Sequence, residues 1–247
     1  MKQKIKKHFY NAKDAFLYLV LPRVCVCCFE DLGFKYKDPL CPSCYDNLEF
    51  MPDLICNRCG VYLPSGGSHC HRCRGSKEKE YKCSTIRSAF MYNKAGRSLI
   101  LAFKYNMDLS LKDFLSENLI STFYKYSEIK DADIIIPIPL QSAKKRHRGF
   151  NQSEVLANLL SSYTCKPMLT DVLVKHKKTK TQAFLNREQR IKNVKEAFKC
   201  IGADKIKGKN ILLIDDVATT ASTLESCAVE LKKNGAKKVY GLTLARE

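Results

Sequence analysis

Residues 211–224 read ILLIDDVATTASTL, four aliphatic side chains that run directly into two aspartates and then into small and hydroxyl-bearing residues. An uninterrupted apolar run of this kind predicts a strand buried on both faces of a parallel sheet. Ser222 and Glu225 form a capping-box pattern, so we expect a helix from residue 222 towards residue 234. A strand, a tight turn and a helix N-terminus direct unpaired backbone N–H groups at one spot, which favours a bound anion there.

Two carboxylates stand at the end of the predicted strand, Asp215 and Asp216, and hydroxyl groups follow in the turn. Carboxylates accept hydrogen bonds from a diol or hold a divalent cation beside an anion. The combination predicts a site for a phosphate joined to a sugar. The hydroxyl-bearing candidates are Thr219, Thr220, Ser222 and Thr223.

The 247-residue chain is strongly basic, with 43 Lys and Arg against 25 Asp and Glu and a formal net charge of +18. Of these, 29 basic and 16 acidic residues follow residue 83. The excess predicts an anionic partner, with nucleic acid first. A solvated, lysine-rich surface is the alternative that charge alone leaves open.

An apolar run at residues 15–21 follows a basic start. Seven apolar residues are too few to span a bilayer, and no small-residue cleavage site follows them. We interpret the segment as an amphipathic lead-in and not a signal peptide, and expect a cytoplasmic protein without a membrane span. In that reducing compartment, paired cysteines indicate metal rather than disulfides.

Four CxxC pairs, separated by 12, 11 and 10 residues, follow one another in the first part of the chain. Two such pairs complete a tetrahedral thiolate site, so we predict two structural zinc ions in a double zinc-ribbon domain at residues 1–83. Sequential pairing is favoured, interleaved pairing stays open, and Cys27, His69 and His71 are competing ligands. The predicted ligands are Cys25, Cys28, Cys41, Cys44, Cys56, Cys59, Cys70 and Cys73.

Residues 84–247 alternate between strand and helix patterns. Strands are predicted at residues 86–92, 133–139, 171–176, 196–201, 211–214 and 237–245. Helices are predicted at 99–119, with a polar break near Asn106, and at 151–160, 186–194 and 222–234. This alternation predicts a second, α/β domain with a mainly parallel sheet, whose ligands bind at the carboxyl ends of the strands.

That rule brings three segments to one crevice, namely PIPLQSAKKRHRGFNQ (residues 137–152), KHKKTKTQ (175–182) and DDVATTAST (215–223). The first two are basic and are predicted to be loops that bind a polyphosphate or nucleic acid, although either alone has a solvated charge run as its alternative. Lys104 is interpreted as a charge on a helix face. The candidate contacts are Lys144, Lys145, Arg146, Arg148, Lys175, Lys177, Lys178 and Lys180, with Phe150 for base stacking.

The stretch IDDVATTAST resembles the ribose-5-phosphate loop of type I phosphoribosyltransferases, and the whole chain resembles the ComF family of competence proteins. The likeness rests on the CxxC array, PIPL, RGFNQ, KTKTQ with Leu185, Arg190 and Asn193, and the final loop. It implies a type I phosphoribosyltransferase-like α/β fold, with a mainly parallel sheet flanked by helices, preceded by a small cysteine-rich zinc-ribbon domain.

By this resemblance Asp215 and Asp216 bind ribose hydroxyls alongside Mg²⁺, and residues 219–223 hold the 5-phosphate of phosphoribosyl pyrophosphate. The PIPL-to-RGFNQ loop lies where pyrophosphate binds, and KHKKTKTQ closes over it. Proteins of this family are associated with handling single-stranded DNA in the cytoplasm during natural transformation, which implies DNA-uptake partners such as a helicase.

The turn departs from the transferase pattern at Ala221, where glycine is usual. A left-handed conformation there costs alanine about 1–2 kcal/mol, which puts catalysis in doubt more than the fold. An active transferase that uses phosphoribosyl pyrophosphate is the alternative function. The sequence identifies neither a catalytic residue nor an acceptor base.

Overall fold

A computed structural model describes residues 19, 22–33, 36–75, 81–105, 109–176 and 197–247. Several predicted features lie outside these residues: the lead-in at residues 15–21 (Leu19 excepted), the helix predicted at 186–194, and the candidate contacts Lys177, Lys178 and Lys180.

The cysteine-rich part contains the short helices α1 (Pro42–Asp46) and α2 (His71–Arg74). The first part of the α/β half contains β1 (Thr85–Met91), α3 (Lys94–Tyr105), α4 (Leu109–Lys125), a 3-10 turn (Ser127–Ile129), β2 (Ile134–Pro137), α5 (Ser142–Arg148) and α6 (Gln152–Thr164). Its remainder contains β3 (Leu173–Lys175), β4 (Phe198–Cys200), α7 (Ala203–Ile206), β5 (Asn210–Ala218), α8 (Ser222–Lys233) and β6 (Lys238–Arg246).

The main sheet has four parallel strands in the order β1-β6-β5-β2. Helices pack on both faces, as the alternating pattern predicted. The strands β3 and β4 form a separate antiparallel ladder instead, with Leu173 opposite Cys200. Both are only three residues long, too short for their pairing to be read from periodicity.

The strand β5 confirms the prediction made from its apolar run. Ile211 and Leu213 pack into the core on one face of the sheet, and Leu212 and Ile214 pack into the core on the other. All four side chains are fully buried. Side chains alternate between the faces of a strand, so both faces need apolar residues at this position in the sheet.

The cysteine-rich part covers the outer edge of β1. Met51 N–H donates to Ala89 O (2.9 Å), and Met91 N–H donates to Glu49 O (2.7 Å). The second ribbon adds a bond from Ile86 N–H to Arg58 O (2.7 Å). These bonds satisfy strand groups that would otherwise form an open sheet edge. The domain boundary at residue 83 stays a prediction.

The structure agrees with the helical stretch predicted at residues 99–119 and corrects two neighbouring predictions. Residues of that stretch belong to α3 and α4, and the polar break predicted near residue 106 lies outside the described residues. The basic segment predicted as a loop contains α5, which ends at Gly149 with φ 79° and a bond from Gly149 N–H to Lys145 O (2.8 Å). Its residues are mostly good helix formers, and glycine supplies the left-handed ending. The helix α6 begins as predicted, with Asn151 accepting from Ser153 N–H, but extends beyond residue 160 to Thr164.

Across the described part of the chain, every helix is too short or too polar to cross a membrane.

Candidate functional site

Two clusters of four cysteines form in the N-terminal part, one from the first two CxxC pairs and one from the last two. The sequential pairing is therefore correct, and the interleaved alternative is wrong. Cys27, His69 and His71 belong to neither cluster. The first set is Cys25, Cys28, Cys41 and Cys44, and the second is Cys56, Cys59, Cys70 and Cys73.

The sulfur positions fit zinc. Within each cluster all ligand atoms lie within 4.8 Å of one another, and the Sγ–Sγ distances from Cys28 to Cys41 and from Cys59 to Cys70 are both 3.7 Å. A tetrahedral site with Zn–S bonds of about 2.3 Å places its sulfurs about 3.8 Å apart. Four thiolates leave no open coordination position, so both sites are structural zinc ribbons rather than catalytic centres.

The carboxylate pair lies within β5, close to the carboxyl end of the strand. Asp215 Oδ1 accepts hydrogen bonds from Ser153 Oγ (3.2 Å) and from the backbone N–H of Asp216 (2.9 Å). Asp216 Oδ2 lies 3.2 Å from the ammonium of Lys104 on α3. Residues from α3, α6 and β5 thus meet at one point, and Lys104 is not the plain helix-face charge that the sequence suggested.

The carboxyl group of Asp215 has a strongly raised pKa. Burial first, and then the charge of Asp216, raise the pKa of Asp215 to about 7, although the hydrogen bonds and Lys104 act in the opposite direction. Burial opposes the charge on Lys104, but Asp216 outweighs it and raises the pKa of the ammonium. Near neutral pH the pair therefore holds a proton that a cation or a hydrogen-bonding ligand can displace.

We predict that Asp215→Asn stabilises the protein more at pH 8 than at pH 5.5. An acid whose folded-state pKa is raised loses stability as pH rises from its ordinary value of about 3.9 towards about 7. Asparagine keeps the acceptor oxygen without the charge, so its gain over the parent should be on the order of 2 kcal/mol larger at pH 8. Urea unfolding at both pH values measures this difference, in which effects common to both proteins cancel.

The matched control is Asp171→Asn. Asp171 is exposed, and its hydrogen bond from Lys205 lowers the pKa of its carboxyl. Both pH values lie above the ordinary pKa of an aspartate and above the lowered pKa of Asp171, so that variant should lose the same amount of stability at pH 8 as at pH 5.5. A gain for Asp215→Asn that does not change with pH would contradict the assignment.

The turn after β5 contains a residue in the left-handed conformation, at the position where the transferase pattern has glycine. Ala221 has φ 58° and ψ 12°, and it is the N-cap of α8. The Thr220 and Ser222 hydroxyl oxygens lie 2.8 Å apart. A small pocket is lined by Asp215 together with residues 217–224. The turn therefore gathers its hydroxyl groups beside one of the two carboxylates, at the start of a twelve-residue helix.

The capping box predicted for α8 is wrong. Ala221 offers no side-chain cap, and Ser222 is the first helical residue. The Glu225 carboxylate instead accepts the backbone N–H groups of Lys82 (2.5 Å) and Cys83 (3.1 Å). It thereby ties the start of α8 to the segment that joins the second ribbon to β1.

We predict that Ala221→Gly stabilises the protein by about 0.5–1 kcal/mol. Glycine removes the strain of a left-handed residue, which costs about 1–2 kcal/mol, and its greater freedom in the unfolded chain returns part of the gain. Denaturant unfolding measures the change, with Ala228→Gly inside α8 as the control that should lose stability. A loss at residue 221 as large as that at residue 228 would contradict the strain.

The side chain of Arg246 holds the same turn by hydrogen bonds, and no sequence pattern indicated this role. Its side chain is buried, 3% exposed. Its Nη1 donates to the carbonyls of Ala218 (2.6 Å), Thr219 and Glu247 (2.7 Å), and its Nε donates to Cys59 O (2.8 Å). One guanidinium thus joins the turn to a cysteine of the second zinc cluster.

The basic residues of α5 are not equivalent. Lys145 forms an ion pair with Glu154 (2.9 Å), so its charge is already compensated. Arg148 stands over the Tyr105 ring, 5.5 Å from the centroid, and Arg146 is exposed. Burial first, and then Arg148 and Lys104, lower the pKa of Lys144. Lys144 therefore lies within electrostatic range of both Arg148 and Lys104.

Lys175, the first residue of the second basic segment, lies within electrostatic range of Lys144 and Asp215. Burial first, and then Lys144, lower the pKa of its ammonium, while Asp215 acts in the opposite direction. The ammonium also lies 5.4 Å from the centroid of the Phe198 ring. Phe150, the candidate for base stacking, is half-buried and packs edge-on against Phe103 at 6.1 Å.

Sequence reasoning missed three residues at this site, Lys104, Ser153 and Arg246. Ser153 lies two residues after the helix cap at Asn151, so its position in the first turn of α6 was a usable signal. Lys104 and Arg246 gave no local signal, because their partners lie far away along the chain.

Residues 136–246 match the phosphoribosyl transferase domain family, and residues 16–74 match the double zinc ribbon domain family. Fold and cysteine clusters together therefore define a protein with a type I phosphoribosyltransferase fold and an N-terminal double zinc ribbon.

Relatives that match most of the chain show which family within this class the protein belongs to. The chain is 30% identical over 220 residues to Competence protein ComFC of Bacillus subtilis (strain 168), covering 86% of each chain. It is 28% identical over 226 residues to Competence protein F of Haemophilus influenzae, covering 90% of this chain and 96% of the relative. A third relative is DNA utilization protein YhgH of Escherichia coli (strain K12), 28% identical over 233 residues, with 92% and 99% covered. The chain belongs to the ComF family of competence proteins.

Proposed function

We propose that this protein handles single-stranded DNA in the cytoplasm during natural transformation, through the crevice at the carboxyl ends of β2 and β5. The observation that carries the proposal is that Lys144 and Lys175 lie within electrostatic range of each other, beside Asp215 and the ion pair of Lys104 with Asp216. The names of the relatives support the same direction, since they refer to competence and DNA utilization.

The electrostatics of the crevice favour a polyanion. The pKa values of Lys144 and Lys175 are lowered, by burial first and then by neighbouring cations, so these charges are held close together with too little compensation. Phosphate oxygens supply the missing negative charge, and successive phosphates of a strand match several cations at once. Lys145 contributes less, because Glu154 already neutralises it.

The same crevice is proposed to bind a phosphoribosyl ligand. Asp215 and Asp216 provide the carboxylates for ribose hydroxyls or Mg²⁺, and the turn at residues 219–223 provides hydroxyls and helix N–H groups for the 5-phosphate. The Asp215–Lys104 environment favours a ligand that replaces the retained proton, so affinity should rise with pH up to about 7.

A second candidate function is that of an active phosphoribosyltransferase. The observation in its favour is the complete pair of carboxylates beside an intact left-handed phosphate turn. In that reaction Mg²⁺ would offset the charge of the leaving pyrophosphate, and the residues of this chain would hold the ribose and its phosphate. DNA handling is preferred because the basic groups outnumber what a single pyrophosphate requires.

The zinc ribbons are proposed to serve as an interaction module for other DNA-uptake proteins, such as a helicase. Their thiolates are closed around the metal, so their surface rather than the ions would make contact.

The experiment that separates the two functions is a titration of the full-length protein with fluorescent single-stranded DNA, with and without Mg²⁺ and phosphoribosyl pyrophosphate. DNA binding that the ligand weakens, without pyrophosphate release, supports DNA handling in a shared crevice. Pyrophosphate release with no DNA binding would replace the proposal by the transferase.

A further inference from the structure

A second basic pocket lies at the opposite end of the sheet. It is a cavity of about 670 Å³ between the second ribbon, the segment at residues 81–84 and the C-terminal end of α8. Its lining residues with polar or aromatic side chains include Arg58, Tyr81, Lys82, Lys232, Lys233, Lys237 and Lys238.

This pocket is separate from the crevice of the proposed function. Lys238 begins β6 opposite Asn210, whereas Asp215 lies opposite Thr243, five residues further along the same strand. At about 3.3 Å per residue that is roughly 17 Å along the sheet. The helix α8 begins at the phosphate turn and ends at this pocket. A small ligand in one site therefore does not occupy the other.

Six cationic side chains line the pocket, and none of its lining residues is a carboxylate. Glu225 is the acid that contacts the neighbouring segment, where it accepts the backbone N–H groups of Lys82 and Cys83. Part of the charge has an ordinary structural role. Lys232 and Lys233 lie in the last turn of α8, where cations complement the helix dipole, and Lys232 Nζ also donates to Lys237 O (2.5 Å).

The helix dipole does not account for Arg58, Lys237 and Lys238, although the Glu225 carboxylate interacts electrostatically with Arg58 and Lys82. Lys237 and Lys238 are exposed at the rim of the pocket. Arg58 Nη1 is buried and has no hydrogen-bond partner among the residues that the structure describes. Its guanidinium lies 5.3 Å from the centroid of the Tyr81 ring. A buried donor without a partner is costly, and an anionic oxygen in the pocket would satisfy it.

We propose that this pocket binds the phosphate chain of a free nucleoside triphosphate. Its volume lies within the range of about 300–1,000 Å³ that suits a small-molecule ligand. Arg58 donates to the phosphate oxygens from the inside, and Lys237 and Lys238 close on the chain from the rim. The concave shape, walled by three separate segments, favours a compact ligand over a strand that runs across the surface.

The test is calorimetric titration of the full-length protein with inorganic tripolyphosphate and with ATP. Lys237 and Lys238 are exposed, so the double variant Lys237→Gln/Lys238→Gln should fold normally. It should bind both probes at least tenfold more weakly than the parent. Lys37→Gln/Lys94→Gln removes two exposed charges that line neither site and should change either affinity by less than threefold. Arg58→Gln should weaken both probes as well, through the inner contact.

Two results would overturn the proposal. Equal losses in the two double variants would mean that only net charge matters. A single-stranded oligothymidine that loses affinity in Lys237→Gln/Lys238→Gln, and competes with ATP there, would assign the pocket to a nucleic-acid strand instead of a free nucleotide.

Discussion

Replacing Cys56 and Cys59 by serine is expected to release one zinc ion of two and to unfold the second ribbon. The buried residues of this ribbon's own cluster are the ligands Cys56, Cys59 and Cys73, with only a few partly buried apolar neighbours. Metal binding in small zinc modules supplies about 10–16 kcal/mol. Without the ion, so small a cluster cannot offset the conformational entropy of ordering the segment.

The loss should extend to the turn at residues 219–223 without unfolding the α/β half. Cys59 O accepts from Arg246, whose other donors hold the carbonyls of Ala218 and Thr219. Arg58 O likewise accepts from Ile86 in the edge strand. We expect the α/β half to melt as a separate transition, several degrees below its position in the parent protein.

Elemental analysis and calorimetry measure the two effects. Cys27→Ser is the matched control, because Cys27 lies in the same part of the chain but outside both clusters. It should retain two zinc ions and a single transition near that of the parent. Two zinc ions in the Cys56→Ser/Cys59→Ser protein would contradict the assignment of that cluster.

The features predicted correctly from sequence are those that depend on neighbours along the chain. The cysteine pairs carry their spacing within a few residues, and nearest-neighbour pairing turned out to be the one that the chain adopts. The run at residues 211–214 reports burial on both faces of β5 by itself. The cost at Ala221 could be anticipated because strand, turn and helix follow one another without interruption.

The features missed are those decided by contacts between distant segments. Glu225 has a good local role as a capping residue, yet it bonds to backbone groups 142 and 143 residues away. Arg246 is one more basic residue in a basic chain until the turn and the second ribbon are folded around it. The antiparallel pairing of β3 and β4 also depends on tertiary packing, since neither short strand specifies its partner.

Lys144→Gln/Arg148→Gln is expected to weaken single-stranded DNA binding strongly at low salt. Lys144 interacts electrostatically with Arg148 and Lys104, and among the described residues neither Lys144 nor Arg148 forms an ion pair with a carboxylate. Each single-strand phosphate contact contributes about −0.7 to the slope of log K against log salt. Losing two contacts should therefore flatten the slope by about 1.4.

Two controls isolate this effect. Lys145→Gln removes a cation that is already paired with Glu154, so its slope should change by less than one full contact. Lys207→Gln/Lys209→Gln removes two exposed charges near the amino end of β5, away from the crevice, and should leave the slope as it is.

The measurement that tests the shared DNA and phosphoribosyl crevice most directly is this salt dependence, followed by fluorescence anisotropy of a labelled oligothymidine. Three or four contacts in the parent protein predict a slope of roughly −2 to −3, and the Lys144→Gln/Arg148→Gln protein should give roughly −1. If that variant keeps the parent's slope, the basic excess is a solvated surface and the crevice does not bind DNA. A flattening of the slope that is equally large in the Lys207→Gln/Lys209→Gln control would lead to the same conclusion.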